Sequence, residues 1–483
     1  MKIAIVGGGT AGFVTALILK HTYPKFQISM IRSKKIGTIG VGEGTTEHWN
    51  DFMRYIGINN SHIIKHCDAT YKAGILFENW GEHDYMQTVE SNLTEKFGDI
   101  NFMYMHLLSL GVSPKELVFP LSWNSEVALA PELEENIKNS PTSQYHFNTE
   151  KLNQFLTELA ENRGIIINDD EIKNVRLNSA GNINYIEGNK KYFSDFFVDC
   201  TGFKRLLISK VGGIWNSYSN DLKTNTAIVF PTENDDYPMY TLARAMDAGW
   251  MFRIPVYGKK GNGYVFDRNF ITEEQAKKEV ENYLGYKIEV KKTISFDPGS
   301  LKNPWIKNCC AIGLSANFVE PLEASSIGTS IQQAFLLVTK ILNYNEKSIK
   351  QYNKEVNVIM ENIKDFVQLH YMTGRTDTDF WKSLREMSLP MSLCNKLDLF
   401  QSRMPVDDDL KQGSSRTLFL SANWFIVMYG LGLIDCAAYK EQYNNFPDNI
   451  KAYAKQSIEH IYKNLKSLKT IRHKTIIDLV REY

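Results

Sequence analysis

The chain carries no surplus of either charge: 55 Lys and Arg residues offset 55 Asp and Glu residues. Binding along a nucleic-acid backbone needs a basic excess, so nucleic acid is not an expected partner. Cysteine is scarce. The six, Cys67, Cys200, Cys309, Cys310, Cys394 and Cys436, form no C-x-x-C pair and no dense framework, so neither a metal site nor a disulfide-stapled secreted fold is expected. No apolar run reaches about 18 residues, the length that a membrane span needs. Met1 leads straight into an apolar strand, without a charged leader or cleavage site. Repeats and low-complexity stretches are missing too. These absences leave the expectation of a soluble, cytoplasmic protein with buried free thiols and no membrane contact. Core material, by contrast, is abundant: 483 residues, 43% hydrophobic and 12% aromatic, enough for two or three packed modules.

The first twelve residues organise the rest. Residues 2–6 form a short apolar, β-branched run of the kind that a parallel sheet buries on both faces. Gly7, Gly9 and Gly12 follow at G-x-G-x-x-G spacing, with Thr10 and Ala11 between them, and residues 13–19 continue as a helix. The first glycine permits the tight turn, the second lets the backbone approach a pyrophosphate, and the third allows helix and strand to pack closely. A second strand, residues 27–31, arrives at the expected distance, so the stretch predicts a dinucleotide site. Where that strand usually ends in an acidic residue for the ribose, this chain has Arg32, which predicts weaker binding or a different ribose partner. An NADP-type 2'-phosphate ranks below FAD. Next, Gly37, Gly40, Gly42 and Gly44 crowd ten residues. Such density lets main chain lie against a flat ligand, with a backbone N–H or two near Gly44 and Thr45 directed at it.

Residues 70–80 alternate like a strand and place Lys72 among apolar and aromatic neighbours. An edge or snorkelling lysine is the ordinary reading. The functional one is a partly desolvated ammonium at a reaction chamber, able to donate a hydrogen bond or, once neutral, to act as a nucleophile.

Several stretches together resemble the flavin-dependent tryptophan halogenases, two-component FAD enzymes. They are the G-G-G-T-A-G of residues 7–12, Gly40-Val-Gly-Glu-Gly-Thr45, Tyr71-Lys72-Ala73 with Asn79-Trp80, and Gly249-Trp-Met-Phe-Arg-Ile-Pro255. Phe196 to Phe203, ending Asp-Cys-Thr-Gly, is similar to the return strand of two-dinucleotide-type flavoproteins. The best match is Gly313-Leu-Ser-Ala-Asn-Phe-Val-Glu-Pro-Leu-Glu-Ala-Ser-Ser-Ile-Gly328. The resemblance implies an α/β fold with an FAD-binding, flavin-monooxygenase-like Rossmann module and a mostly helical substrate module. Residues 1–345 would form the first, with substrate-side strands interspersed, and residues 346–483 the second, completing the substrate pocket.

It implies catalytic roles for Lys72 and Glu323, leaving Glu320 as a helix cap, and halide binding at Ser325 and Ser326. Gly313, Leu314 and Ile327 would join the glycines in holding cofactor. Trp250, Phe252 and Pro255 stand in the W-x-W-x-I-P signature that partitions substrate from flavin, with Phe252 replacing its second tryptophan. Ala324 and Ser326 also depart from the usual Ser and Gly. Phe419 falls near the substrate-sandwiching aromatic. The stretch His370 to Trp381 again matches the family and is expected to join the modules structurally.

The implied activity uses reduced FAD, O2 and halide to form hypohalous acid, which Lys72 directs to an electron-rich aromatic of indole or phenol type. A separate flavin reductase supplies the reduced FAD, and a homo-oligomer is possible. The alternatives are a single-component FAD/NAD(P)H aromatic monooxygenase, disfavoured by Leu314 where that class carries aspartate, and a non-catalytic flavin or aromatic-ligand binding protein.

Overall fold

The computed structural model describes residues 1–36, 42–88, 100–113, 126–128, 144–233, 236–411, 414, 416–467 and 469–483. Gly40, and Gly37 before it, lie outside them.

The opening strand, Lys2–Val6, is central in a six-stranded sheet. The order runs Trp305–Ile306, Cys309–Ala311, Phe196–Asp199, Lys2–Val6, Gln27–Arg32, Ile166–Asp169. All neighbours are parallel except the first pair. Alternation along Lys2–Val6 explains its apolar run: Ile3 and Ile5 enter the main core with the helix Thr10–Thr22, while Ala4 and Val6 enter a second core on the opposite face. Both faces are covered from Ile3 to Val6, so those four positions are all apolar, and only Lys2 at the strand's start is exposed.

A second, seven-stranded sheet runs Lys292–Ser295, Thr226–Glu233, Lys259–Phe266, Gly249–Val256, Tyr240–Met246, Gly74–Glu78, Tyr85–Thr88. A small third sheet places Gln144–Phe147 between Glu43–Gly44 and Thr70–Lys72. The single strand expected over residues 70–80 is therefore broken. Thr70–Lys72 belongs to the small sheet and Gly74–Glu78 to the large one, and the N–H of Ala73 donates to the Met239 carbonyl at 2.6 Å between them. Lys72 lies where the chain changes sheets, and that switch buries it.

The helix Ser325–Lys340 packs against Thr10–Thr22 and against the long helix Glu346–His370. The helix Glu273–Leu284 is started by Thr272, which forms a capping box with Gln275. The basic stretch 463–474 is divided between elements: the helix Asp448–Ser467 ends, and Thr470–Arg472 pairs antiparallel with Glu126–Ala128. Nor are all thiols buried, since Cys436 is exposed. Among the described residues no helix is long and apolar enough to cross a membrane.

Candidate active site

The glycine turn has the shape its spacing predicts. Gly7 takes φ +123°, and a side chain there would run into the Cys200 carbonyl, while one at Gly12 would meet the carbonyl of Gly7. At Gly9, which caps the helix, a Cβ would meet nothing within 4 Å. The first turn of that helix carries no acidic residue and no side-chain cap, so the N–H groups of Thr10 and Ala11 and the helix dipole suit a phosphate. Thr10 turns aside, 3.5 Å from Asn153 Oδ1. Gly313, at φ +70°, brings the later return of the chain against this helix: its Cβ would lie 2.6 Å from that of Ala11. The Gly313 N–H donates to Gln333 Oε1 at 3.0 Å, Leu314 is half-exposed beside it and Ile327 is buried. Asp199 closes the turn from below, accepting from the N–H groups of Thr201, Leu207 and Ile208 and from Ser315 Oγ.

Arg32 sits where a ribose-binding carboxylate was expected. Its Nη1 donates to Thr157 Oγ1 at 2.8 Å, its guanidinium lies 5.9 Å from the centre of the Phe13 ring, and its buried Nε has no hydrogen bond among the described residues. The open cradle at Gly9 and this orphaned donor fit an anionic dinucleotide such as FAD.

A chamber forms where the small sheet meets the start of the helix Ser325–Lys340. Lys72, 2% exposed, donates from Nζ to the Thr45 carbonyl at 2.8 Å. Burial pushes its ammonium down to about 8, while the Glu323 and Glu47 carboxylates pull the other way. Gly44 explains the closeness: a Cβ there would be 3.6 Å from both Lys72 Nζ and the Cβ of Ala324. Glu323 and Ala324 are consecutive left-handed residues, φ 67° and 50°, a conformation that non-glycine residues hold only when the surroundings impose it. This turn aims the Glu323 carboxylate inward and starts the helix abruptly. Ala324 offers no side-chain cap, which leaves the first N–H groups, at Ser325 and Ser326, available to an anion. Gly42 lies beside Gly261, Ile254 and Val256. The Thr45 N–H, expected to face the ligand, instead donates to the Tyr145 carbonyl at 2.9 Å, and its hydroxyl accepts from the Tyr145 N–H: it is spent on the sheet edge.

Glu320 is not a helix cap. It is fully buried and accepts from Trp250 Nε1 at 3.2 Å, from Tyr371 Oη at 2.8 Å and from Thr224 Oγ1. Burial pushes its carboxyl up to about 7, with those three donors opposing. Trp250 is thereby anchored three residues from Glu323. Phe252 packs 5.9 Å from Trp250, centre to centre, over the bare Gly263, and the Pro255 carbonyl accepts from Thr70 Oγ1 at 2.6 Å. Phe419 stacks on Phe366 at 4.2 Å, and Phe366 abuts His370. His370 is no mere joint between modules, because its Nε2 lies 2.8 Å from Glu323 Oε1. The helical spacing of Phe366 and His370 was the available signal for that placement. Nothing local pointed to Tyr85 or His473, which reach the site only through tertiary pairing.

A parallel sheet with one dinucleotide turn, a later strand returning to it, and an adjoining lysine-and-carboxylate chamber defines a flavoprotein of the FAD-binding, two-dinucleotide type. The model of the tryptophan halogenase family matches residues 2–448, and the chain belongs to that family. It is 32% identical to the 7-chloro-L-tryptophan 6-halogenase KtzR of Kutzneria sp. (strain 744), over 83% of this chain and 85% of that one. Among solved structures it is similar to a tryptophan halogenase from Shewanella frigidimarina (TM-score 0.90, 26% identity, 100% of this chain and 98% of that one). A flavin-dependent halogenase from Xanthomonas campestris is also similar (TM-score 0.86, 27% identity, 100% and 98%). The chain is accordingly a flavin-dependent halogenase, an enzyme that uses FAD, halide and O2 to halogenate an aromatic substrate.

Proposed function

We propose that this enzyme halogenates an electron-rich ring of indole or phenol type, with Lys72 and Glu323 as its catalytic pair. The observation that carries this is the convergence at Gly44, where a missing side chain lets the buried ammonium approach the turn bearing the buried carboxylate. FAD would lie against Gly7, Gly9, Thr10, Ala11, Gly12, Gly313, Leu314 and Ile327 and supplies the oxidising power for hypohalous acid formation. The N–H groups of Ser325 and Ser326 hold halide at the helix start. Lys72 donates a hydrogen bond to the small neutral oxidant and keeps it over the ring. Glu323 stabilises the cationic ring that results and accepts the proton it loses. Trp250, Phe252 and Pro255 keep substrate off the flavin side, and the helical module, from residue 346 onward, completes the pocket with Phe419. Reduced FAD comes from a separate reductase, in a cytoplasm where the six thiols stay free. An indole nucleus is favoured because similar enzymes are named for tryptophan substrates.

Incubation with a flavin reductase, FAD and chloride, bromide or iodide against a panel of indoles and phenols should give a halogenated product by mass spectrometry. Glu323→Gln should lose it. A complete blank across the panel, or full activity in that variant, would overturn the reading.

A further inference from the structure

His370 ends the long helix Glu346–His370 and is wholly buried. Its ring stacks on Phe77, with centres 4.4 Å apart and planes 11° from parallel, while Phe366 closes another side edge-on at 5.2 Å. Clamped this way, the ring presents Nε2 at 2.8 Å from Glu323 Oε1 and Nδ1 at 2.9 Å from the Tyr85 hydroxyl. The carboxylate oxygen lies off the axis of a hydrogen bond from the ring. Among the described residues neither it nor Nε2 has a hydrogen bond elsewhere. Buried polar atoms rarely stay unpaired, and the last torsion of a glutamate is soft, so a small swing of the carboxylate completes the bond.

We propose that His370, itself fixed by Tyr85, is the positioning residue that sets the direction of the Glu323 carboxylate in the reaction chamber. This rests on the role given to Glu323 above. The proton assignment follows from the donors available. A carboxylate oxygen accepts, so a proton is placed on Nε2, the tautomer that leaves Nδ1 unprotonated. Nδ1 is then an acceptor, and the Tyr85 O–H donates to it. Tyr85 keeps that proton, because burial and the charge of Glu323 push its phenol well above the ordinary range. Tyr85 stands on the edge strand of the large sheet and His370 at the end of a helix. Two rigid elements thus converge on a carboxylate whose own backbone is strained.

The test compares His370→Phe, His370→Gln, Tyr85→Phe and Glu323→Gln in the full-length enzyme, with reduced FAD, bromide and the panel aromatic that the wild type turns over fastest. It records kcat, KM and the ratio of product to hypobromite captured by a chemical trap. His370→Phe keeps the stacking bulk but not the donor. Its kcat should fall about tenfold or more with KM unchanged and more hypobromite escaping. His370→Gln, which restores an N–H, should recover part of the loss. Tyr85→Phe should cost less and add nothing to His370→Phe, as expected of residues acting in series. A substrate-free measurement accompanies these: nitrogen NMR of histidine-labelled wild type should show a buried imidazole protonated at Nε2 whose signals move in both Tyr85→Phe and Glu323→Gln. A wild-type product-to-hypobromite ratio in His370→Phe, or a proton on Nδ1, would overturn the proposal. If His370→Phe is unaffected while Glu323→Gln is inactive, only this inference fails. Full activity in Glu323→Gln overturns the role of Glu323 and the inference with it.

Discussion

Lys72 holds a charge where a hydrophobic residue would be more stable. Its ammonium is pushed from an ordinary 10.5 down to about 8, so between those values the unfolded chain binds the proton that the folded one releases. Stability therefore rises with pH across that window, and below it the buried charge is a standing cost. Lys72→Met should melt higher than wild type at pH 7 by differential scanning fluorimetry, with the gap narrowing between about pH 8 and about pH 10.5. The same variant should still oxidise reduced FAD yet lose product by at least about a hundredfold, the effect of removing a preorganised donor. If the ammonium is the working form, product per flavin stays level below about pH 8 and declines above it. A rise through that pH would assign the neutral amine, and hence a haloamine, instead.

The elements that fix Lys72 come from both ends of the chain. Tyr71, its neighbour, donates its backbone N–H to His473 Nε2 at 3.1 Å, and His473 Nδ1 bonds the Tyr237 carbonyl at 2.8 Å. His473 opens the helix His473–Glu482, whose Arg481 reaches the Ile64 carbonyl at 3.0 Å. Burial pushes this imidazole down to about 4, against the pull of its Tyr237 bond. It is neutral at pH 7 and its contribution fades as pH falls from about 6.5 toward about 4. His473→Ala strands a buried N–H, which costs about 1–3 kcal/mol. Urea unfolding should show that loss, and product per flavin should fall while FAD affinity, from fluorescence quenching, stays unchanged. Unaltered coupling would mean that the helix only closes the fold. Here the sequence was least legible. A histidine in a basic stretch reads as solvated surface, because a contact between residue 473 and residue 71 leaves no local periodicity. Gly7, Gly9 and Gly12 were legible because their spacing is local: Gly7 and Gly12 answer clashes with the adjoining strand end and within the turn, and Gly9 leaves the helix start open. Lys72 and Glu323 became a pair only through family motifs, since the left-handed turn at Glu323 and Ala324 has no glycine to announce it.

At the scale of the whole molecule, the glycine turn belongs to the six-stranded sheet and Lys72 to the small one, and a single such turn limits where electrons enter. The sequence holds one G-x-G-x-x-G fingerprint, at Gly7 to Gly12, and the space it frees at Gly9 suits one dinucleotide. A hydroxylase that reduces its own flavin must also seat NAD(P)H close enough for hydride transfer. The chain offers no second fingerprint for it, and Leu314, not an aspartate, follows Gly313 on the cofactor side. The protein with FAD alone should therefore leave NADPH unoxidised. If the reductase serves only as a source of reduced FAD, its protein surface is dispensable. Enzyme mixed anaerobically with chemically reduced FAD, then with oxygenated buffer containing bromide and the aromatic, should yield product in a single turnover with no reductase present. NADPH oxidation by the isolated protein would restore the single-component reading. Product that appears only when reductase is added would replace free diffusion of flavin with a complex that hands it over.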